Sequence, residues 1–159
     1  MIASCMLGDP MRLSRQVQYA LCGIFDLAYN GAAGPVRVEV IGLRHRIPHR
    51  FLEQIFQRLR KADLVVGKRG PGGGYVLTRR PEEINLRDVV EAIEGPLVRR
   101  SERDESDWPP TEYRPDFLWE SLAQRTADML SEIVVADICR EAARRSIDRD
   151  LPAGLDFQI

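Results

Sequence analysis

Arg69-Gly70-Pro71-Gly72-Gly73-Gly74-Tyr75 is the stretch whose reading decides the fold of this chain. A basic amphipathic pattern, Pro48 to Ala62, and a short apolar run, Leu64 to Val66, come before it. A second apolar run, Tyr75 to Leu77, comes after it. Helix, strand, glycine-rich tip and strand in that order read as a winged helix-turn-helix. A glycine-rich loop also cradles nucleotide phosphates, but only where it opens a helix. Here the residues that follow, Tyr75-Val76-Leu77-Thr78, are β-branched or aromatic and favour a strand. The spacing fits neither a P-loop nor a dinucleotide fingerprint. Glycines at a hairpin tip supply the positive φ angles that tight turns need.

Charge distribution strengthens this reading. The net charge of the 159-residue chain is −1, yet residues 36–80 hold eleven Lys/Arg against three Asp/Glu, a net of +8. Residues 81–159 hold ten against nineteen, a net of −9. A basic segment that coincides with a helix-turn-helix pattern, beside an acidic one, points to a nucleic-acid face and a separate module. An apolar content of 44% with 30% charged residues is that of an ordinary globular protein, long enough for a core without staples. No run approaches a membrane span and the N-terminus lacks signal-peptide features, so a cytoplasmic protein is expected.

Working outward from the tip, Ser14 caps a first helix, in which Val17, Ala20, Leu21, Ile24, Phe25, Leu27 and Ala28 recur at helical spacing. It stops near Asn30-Gly31. A second helix is expected over Val36 to Arg46, with Val40, Ile41 and Leu43 inward. A third starts at Pro48, a residue tolerated at the first helical position. Its apolar stripe is Phe51, Leu52, Ile55, Phe56 and Leu59. Asn85 caps a short helix, Leu86 to Glu94, which Gly95-Pro96 ends. From Asp116 a long helical stretch carries the stripe Leu118, Leu122, Met129 and Ile133, with room for a break between Ser131 and Val134. Such a stripe needs a core or a second subunit to cover it. The organisation expected is a leader at 1–10, a winged helix-turn-helix at 11–80, a linker and short helix at 81–96, a loop at 97–115, a dimerisation helix region at 116–147 and a tail at 148–159. The fold class is mainly α with a small β-hairpin wing.

A recognition helix reads the major groove with its N-terminal residues, here His49, Arg50, Glu53 and Gln54. Arginine pairs with guanine, glutamate accepts from cytosine and glutamine suits adenine. Glu53 has a second reading, in which it orients Arg50 or Gln57 at helical neighbour spacing. Lys68, Arg69, Gly70, Pro71, Gly72 and Gly73 form the wing; wings lie along the backbone or enter a minor groove. Arg15, Arg44, Arg58, Arg60 and Lys61 are candidates for backbone contact. No nucleophile–base pair or cofactor motif stands out, so no enzyme and no cofactor is expected. Cys5, Cys22 and Cys139 are scattered, which speaks against a disulfide framework or structural zinc. His45 and His49 are separated by Pro48 and need not share a face, so no metal site is expected. Cys22 sits among apolar residues and reads as a structural thiol; Arg140 stands beside Cys139 and would lower its pKa modestly.

The chain resembles the IscR/NsrR/CymR family of bacterial transcription regulators. The resemblance rests on Met11-Arg12-Leu13-Ser14, Tyr19-Ala20, Phe51-Leu52-Glu53-Gln54-Ile55-Phe56, Leu59-Arg60-Lys61-Ala62, Leu64-Val65, Arg69 to Tyr75 and Ile93-Glu94-Gly95-Pro96. It implies a homodimer on a palindromic operator, with Met11 as the usual start and the helix from Asp116 crossing to the partner. It also implies DNA contacts at Arg50, Glu53 and Arg69. The leading reading of function is a DNA-binding regulator, a repressor that acts by occupying a promoter. Cluster-binding members of that family carry three cysteines in the loop after Glu-Gly-Pro. Residues 97–115 contain none, holding Trp108, Tyr113 and many charges instead, so the usual iron–sulfur cluster is not expected. The effector is then left open between a small molecule or a partner protein lodged near that loop and the dimer helix, and oxidation of Cys22 or Cys139. The alternative function is a winged-helix protein–protein module without DNA binding, which would want an apolar or acidic recognition face.

Overall fold

The structure, a computed structural model, describes residues 13–98 and 112–149. The leader at 1–10, most of the loop at 97–115 and nearly all of the tail lie outside the described residues. Six helices and one hairpin follow in order: α1 Arg15–Asn30, α2 Val38–His45, α3 His49–Lys61, β1 Val65–Lys68, β2 Gly74–Leu77, α4 Leu86–Glu94, α5 Asp116–Glu132 and α6 Val135–Arg144. Short 3₁₀ turns occupy Gly31–Ala33 and Pro81–Glu83. The fold is mainly α with a two-stranded wing, as expected from the sequence.

α1 is the central element and packs against α2, α3, α4, α6 and β2. Ser14 caps it, accepting from the Val17 amide at 3.2 Å. Val17, Ala20, Ile24 and Leu27 of α1 are buried with Ile41, Leu52, Ile55, Phe56, Leu59, Leu64, Val89 and Ile93 in one continuous core. Each large side chain so buried contributes on the order of 1.5–3 kcal/mol. Phe56 sits at its centre, fully buried, with the Tyr75 ring 4.8 Å away.

β1 and β2 pair antiparallel, with Val65 opposite Leu77 and Lys68 opposite Gly74. The tip closes through a hydrogen bond from the Gly73 amide to the Gly70 carbonyl, 2.9 Å. Val36 adds one rung on the other side of β2: its amide donates to the Tyr75 carbonyl at 3.0 Å and its carbonyl accepts from the Tyr75 amide at 2.8 Å. Gly74 allows that approach, because a Cβ there would stand 2.5 Å from the Val36 carbonyl oxygen, and its φ is +153°.

Four expectations are corrected. α2 runs over Val38–His45 rather than Val36 to Arg46, because Val36 is committed to the wing. Its inward residues are Val38, Ile41 and Gly42; Val40 is half-buried and Leu43 is 82% exposed. Pro48 is the capping residue before α3, which begins at His49. Phe51 is not in the buried stripe of α3: it is 40% exposed at the stripe's edge, 6.5 Å from the Tyr19 ring.

The break foreseen between Ser131 and Val134 falls at Ile133-Val134. The strand-like segment before α4 fills it. The Leu86 amide donates to the Ile133 carbonyl and the Val135 amide donates to the Ile84 carbonyl, both at 2.9 Å. Backbone groups freed by the break are thereby paired, and α5 and α6 are both tied to the linker that follows the wing.

Candidate nucleic-acid interface

α2 and α3 form the helix-turn-helix. The chain leaves α2 through Arg46, in the left-handed region at φ 53°, and the Ile47 amide returns to the Gly42 carbonyl at 2.9 Å. Gly42 is the tight point of the motif, since a Cβ there would stand 2.9 Å from the Ile47 oxygen. Ile47 then plugs the core, 5% exposed. Sequence reasoning missed Gly42; the signal was a glycine inside a helical pattern five residues before an apolar one.

A second device missed in the sequence fixes the end of α2. Asp26 of α1, fully buried, receives Arg44 at 2.7 Å and His45 Nε2 at 2.9 Å. A buried carboxylate is tolerated where it is paired and hydrogen-bonded. The Asp26 hydrogen bond, helped by one with Cys22 and opposed by burial, raises the His45 pKa to about 9. His45 is therefore charged at neutral pH, and Arg44 is engaged here. Arg58 is engaged as well, donating to Gln16 Oε1 at 2.8 Å and to the Ile93 carbonyl at 3.3 Å. Both guanidinium groups are thus paired within the chain, Arg44 to a buried partner and Arg58 at the surface. Arg15 is exposed and makes a long contact, 3.4 Å, with Gln18.

What remains faces outward together. His49, Arg50, Glu53, Gln54, Arg60 and Lys61 are all exposed on α3, opposite the buried stripe Leu52, Ile55, Phe56 and Leu59. The Arg50 guanidinium lies over the Phe51 ring, 4.7 Å from its centroid. Lys68, Arg69, Gly70, Pro71 and Gly72 are exposed on the wing, and Gly73 is half-exposed. Between α3 and the wing lies a groove of about 420 Å³, lined by Arg37, Glu39, His49, Glu53, Lys68 and Tyr75 among others. His49 Nε2 stands 3.2 Å from Glu39 and 3.7 Å from Glu53. The two histidines thus face apart, His45 towards α1 and His49 towards the groove. Among the described residues no group of three His, Cys, Asp or Glu is placed to hold a metal ion.

α5, outside the helix-turn-helix and wing, buries only Ala127 and Leu130. Leu118, Leu122, Met129 and Ile133 are 38–47% exposed, and Phe117 and Trp119 beside them are 77% and 48% exposed. No helix among the described residues is long and apolar enough to cross a membrane.

The Rrf2 family, described as an iron-dependent transcriptional regulator, matches residues 13–141. The HTH-type transcriptional regulator IscR of Sodalis glossinidius is 34% identical over 129 residues, covering 80% of this chain and 78% of its own. IscR of Pectobacterium atrosepticum is 35% identical over 129 residues, covering 80% and 79%. Among solved structures, T. potens IscR superposes with a TM-score of 0.70 at 27% identity, over 88% of this chain and 94% of that one. CymR, the global cysteine regulator of B. subtilis, gives 0.68 at 26% identity, over 82% and 98%.

Iron dependence must be tested against this chain's donors. Iron–sulfur clusters are held by thiolates. Cys22 and Cys139 lie half-buried on different helices, α1 and α6, Cys5 lies outside the described residues, and residues 97–115 contain no cysteine. Burial pushes the Cys139 thiol up, outweighing the lowering by Arg149 and Arg140, so the modest net lowering expected from Arg140 is not found. The donor set does not fit a thiolate-held cluster. Helix-turn-helix, wing and core are nonetheless common ground with these relatives, and on that ground the chain belongs to the Rrf2 family of bacterial DNA-binding transcriptional regulators and is not an enzyme.

Proposed function

We propose that the protein is a cytoplasmic repressor that binds a palindromic operator as a homodimer. The observation that carries this reading is the groove between α3 and the wing, lined by His49, Glu53, Gln57 and Lys68, with Arg50, Gln54 and Arg69 exposed on the same two elements. The N-terminal half of α3 enters the major groove, where Arg50, Glu53 and Gln54 meet base edges and His49 stands beside them at the helix start. The wing, Lys68 to Gly73, follows the backbone or enters the adjoining minor groove, and Arg60 and Lys61 meet phosphates. Residues 11–80 act as the DNA-binding unit and 116–147 as the dimerisation region. Leu118, Leu122, Met129 and Ile133 are covered by the second protomer, which sets the spacing between half-sites.

The effector is a small molecule or a partner protein received near residues 97–115 and α5. It is not an iron–sulfur cluster, so protein purified without oxygen is expected to be colourless and free of stoichiometric iron and sulfide. A gel-shift titration on DNA upstream of the protein's own gene tests the main reading. If a dimer neutralises about eight phosphates, log K falls against log salt with a slope of roughly −7. Equal affinity for operator and random duplexes at all salt concentrations would overturn it.

A further inference from the structure

The groove between α3 and the wing contains an arrangement that DNA binding by itself does not require. Two carboxylates, Glu39 and Glu53, stand on a surface that faces phosphates under the reading above. Glu39 occupies the first turn of α2, where the helix dipole favours a carboxylate. Glu53 lies one turn along α3 from His49. The His49 imidazole sits between them, and its Nε2 is within 3.7 Å of both. Arg37 and Lys68 stand at the rim of the same groove. On the inner side of the motif, Gly42 and Ile47 hold α2 to α3 through backbone. On the outer side, His49 is the side chain that links the two helices.

We propose that His49 is a positioning residue for operator reading: it bridges Glu39 and Glu53 across the helix-turn-helix and thereby sets the aim of Glu53 into the major groove. The inference rests on the proposed operator binding. All three side chains are partly exposed, between 43% and 64%. Exposed pairs of this kind add little to the stability of a free protein. Their effect appears when phosphates arrive. Without the imidazole, two carboxylates face the backbone with nothing between them, and Glu53 is free to leave the wing side of α3. The first consequence weakens binding to every duplex. The second weakens discrimination, because a glutamate selects cytosine only when its oxygen is held at the donor. The two consequences have separate remedies. Removing the Glu39 charge relieves the repulsion but does not hold Glu53 in place.

Three variants of the full chain, His49→Leu, Glu39→Gln and the double substitution, are titrated against the operator and a random duplex, with thermal unfolding as control. His49→Leu is expected to unfold at the wild-type temperature within about 2 °C, as exposed-pair energetics imply. It is expected to bind both duplexes about tenfold more weakly as a dimer, from two unscreened carboxylates per site. Its operator-to-random ratio should also fall. Adding Glu39→Gln is expected to restore most of the lost affinity for both duplexes while the ratio stays low. That partial rescue separates a bridge from direct contact, since a DNA contact made by His49 itself would not return when Glu39 changes. The inference is overturned if His49→Leu leaves affinity and ratio unchanged, or if Glu39→Gln restores nothing. A wild-type protein without preference for any duplex overturns the operator reading first, and this inference with it.

Discussion

On α3 the apolar residues Leu52, Ile55, Phe56 and Leu59 are all buried, whereas Leu118, Leu122 and Met129 on α5, and Ile133 just past its end, are all partly exposed. Both helices carry apolar residues at spacings of three and four. The difference lies in what the chain itself supplies to cover them. α3 has α1, α2, α4 and β1 packed on its apolar face, and its polar face carries the charges. α5 has α4 on it near Ala127 and Leu130, and its remaining apolar side is left open by the described residues. On the proposed reading, the self-sufficient half offers charge to DNA and the incomplete half offers apolar surface to a second copy of the chain.

The largest effect should come from the incomplete half. Leu122→Arg places a charge on the exposed face of α5, 47% exposed, where the protomer's own core is untouched. A second copy covering that face would have to bury the charge. Light scattering is expected to drop from twice the 18.1 kDa chain mass to a single chain. Operator affinity should fall about a thousandfold, the range lost when two linked half-sites become one. A variant that stays dimeric and binds as wild type would show that this stripe is not the dimer contact.

Next in size is the anchor of the self-sufficient half. Asp26→Ala leaves Arg44 and His45 facing a buried site without an acceptor. Breaking a buried pair from one side costs about 3 kcal/mol or more. Urea unfolding should show that loss as a lower midpoint with an unchanged slope. The chain mass in solution should stay that of the wild type, because α5 takes no part. A loss under about 1 kcal/mol would mean that Asp26 carries no more than an exposed pair does.

The same contrast explains what was legible in the sequence. The buried stripe of α3, the wing and the Ser14 cap could be read because each rests on local spacing or on a residue with one strong preference. Phe51 was misplaced because periodicity cannot tell the centre of a stripe from its edge; Tyr19 and Arg50 decide that in space. Val36 was given to α2 because its pairing with Tyr75 spans 39 positions of chain, beyond any local pattern. Asp26 does not stand out in the sequence, because its partners come from another helix. Arg44 and Arg58 looked like any exposed basic residue for the same reason. The outward set on α3 and the wing was legible, since charge and helical face agree there.

Smaller effects should separate the two basic elements from each other. Arg50→Ala is expected to reduce operator affinity by about 1–3 kcal/mol and relax preference at one position per half-site. Arg69→Ala, if it meets phosphate, should weaken all duplexes alike and make the salt slope shallower by about one contact per protomer. If Arg69 enters the minor groove, its loss should instead follow groove width across a set of A-tract and mixed duplexes. Identical losses for both variants on every duplex would erase the distinction between a reading helix and a gripping wing.

The smallest effect is a dependence on pH that belongs to the self-sufficient half alone. Asp26, with Cys22, raises the His45 pKa from 6.5 to about 9, so the folded protein holds this proton more tightly than the unfolded chain does. The stabilisation is therefore complete below 6.5 and is lost as pH rises through about 9. The His45 side chain is about one-fifth exposed, and solvent screening reduces the gain. About 1–2 kcal/mol is the expected loss between pH 6.5 and 10. Other groups titrate in the same range, so the measurement is a difference. Urea midpoints for wild type and His45→Gln are followed from pH 6 to 10. The gap between the two curves should be widest at the acid end and close towards pH 10. Dimer mass, set by α5 on the proposed reading, should not move between pH 6 and 8. A gap that stays constant with pH would mean that His45 serves only by shape and hydrogen bonding. A gap that widens with pH would mean that the charged form is the unfavourable one and that the pairing with Asp26 does not hold the proton.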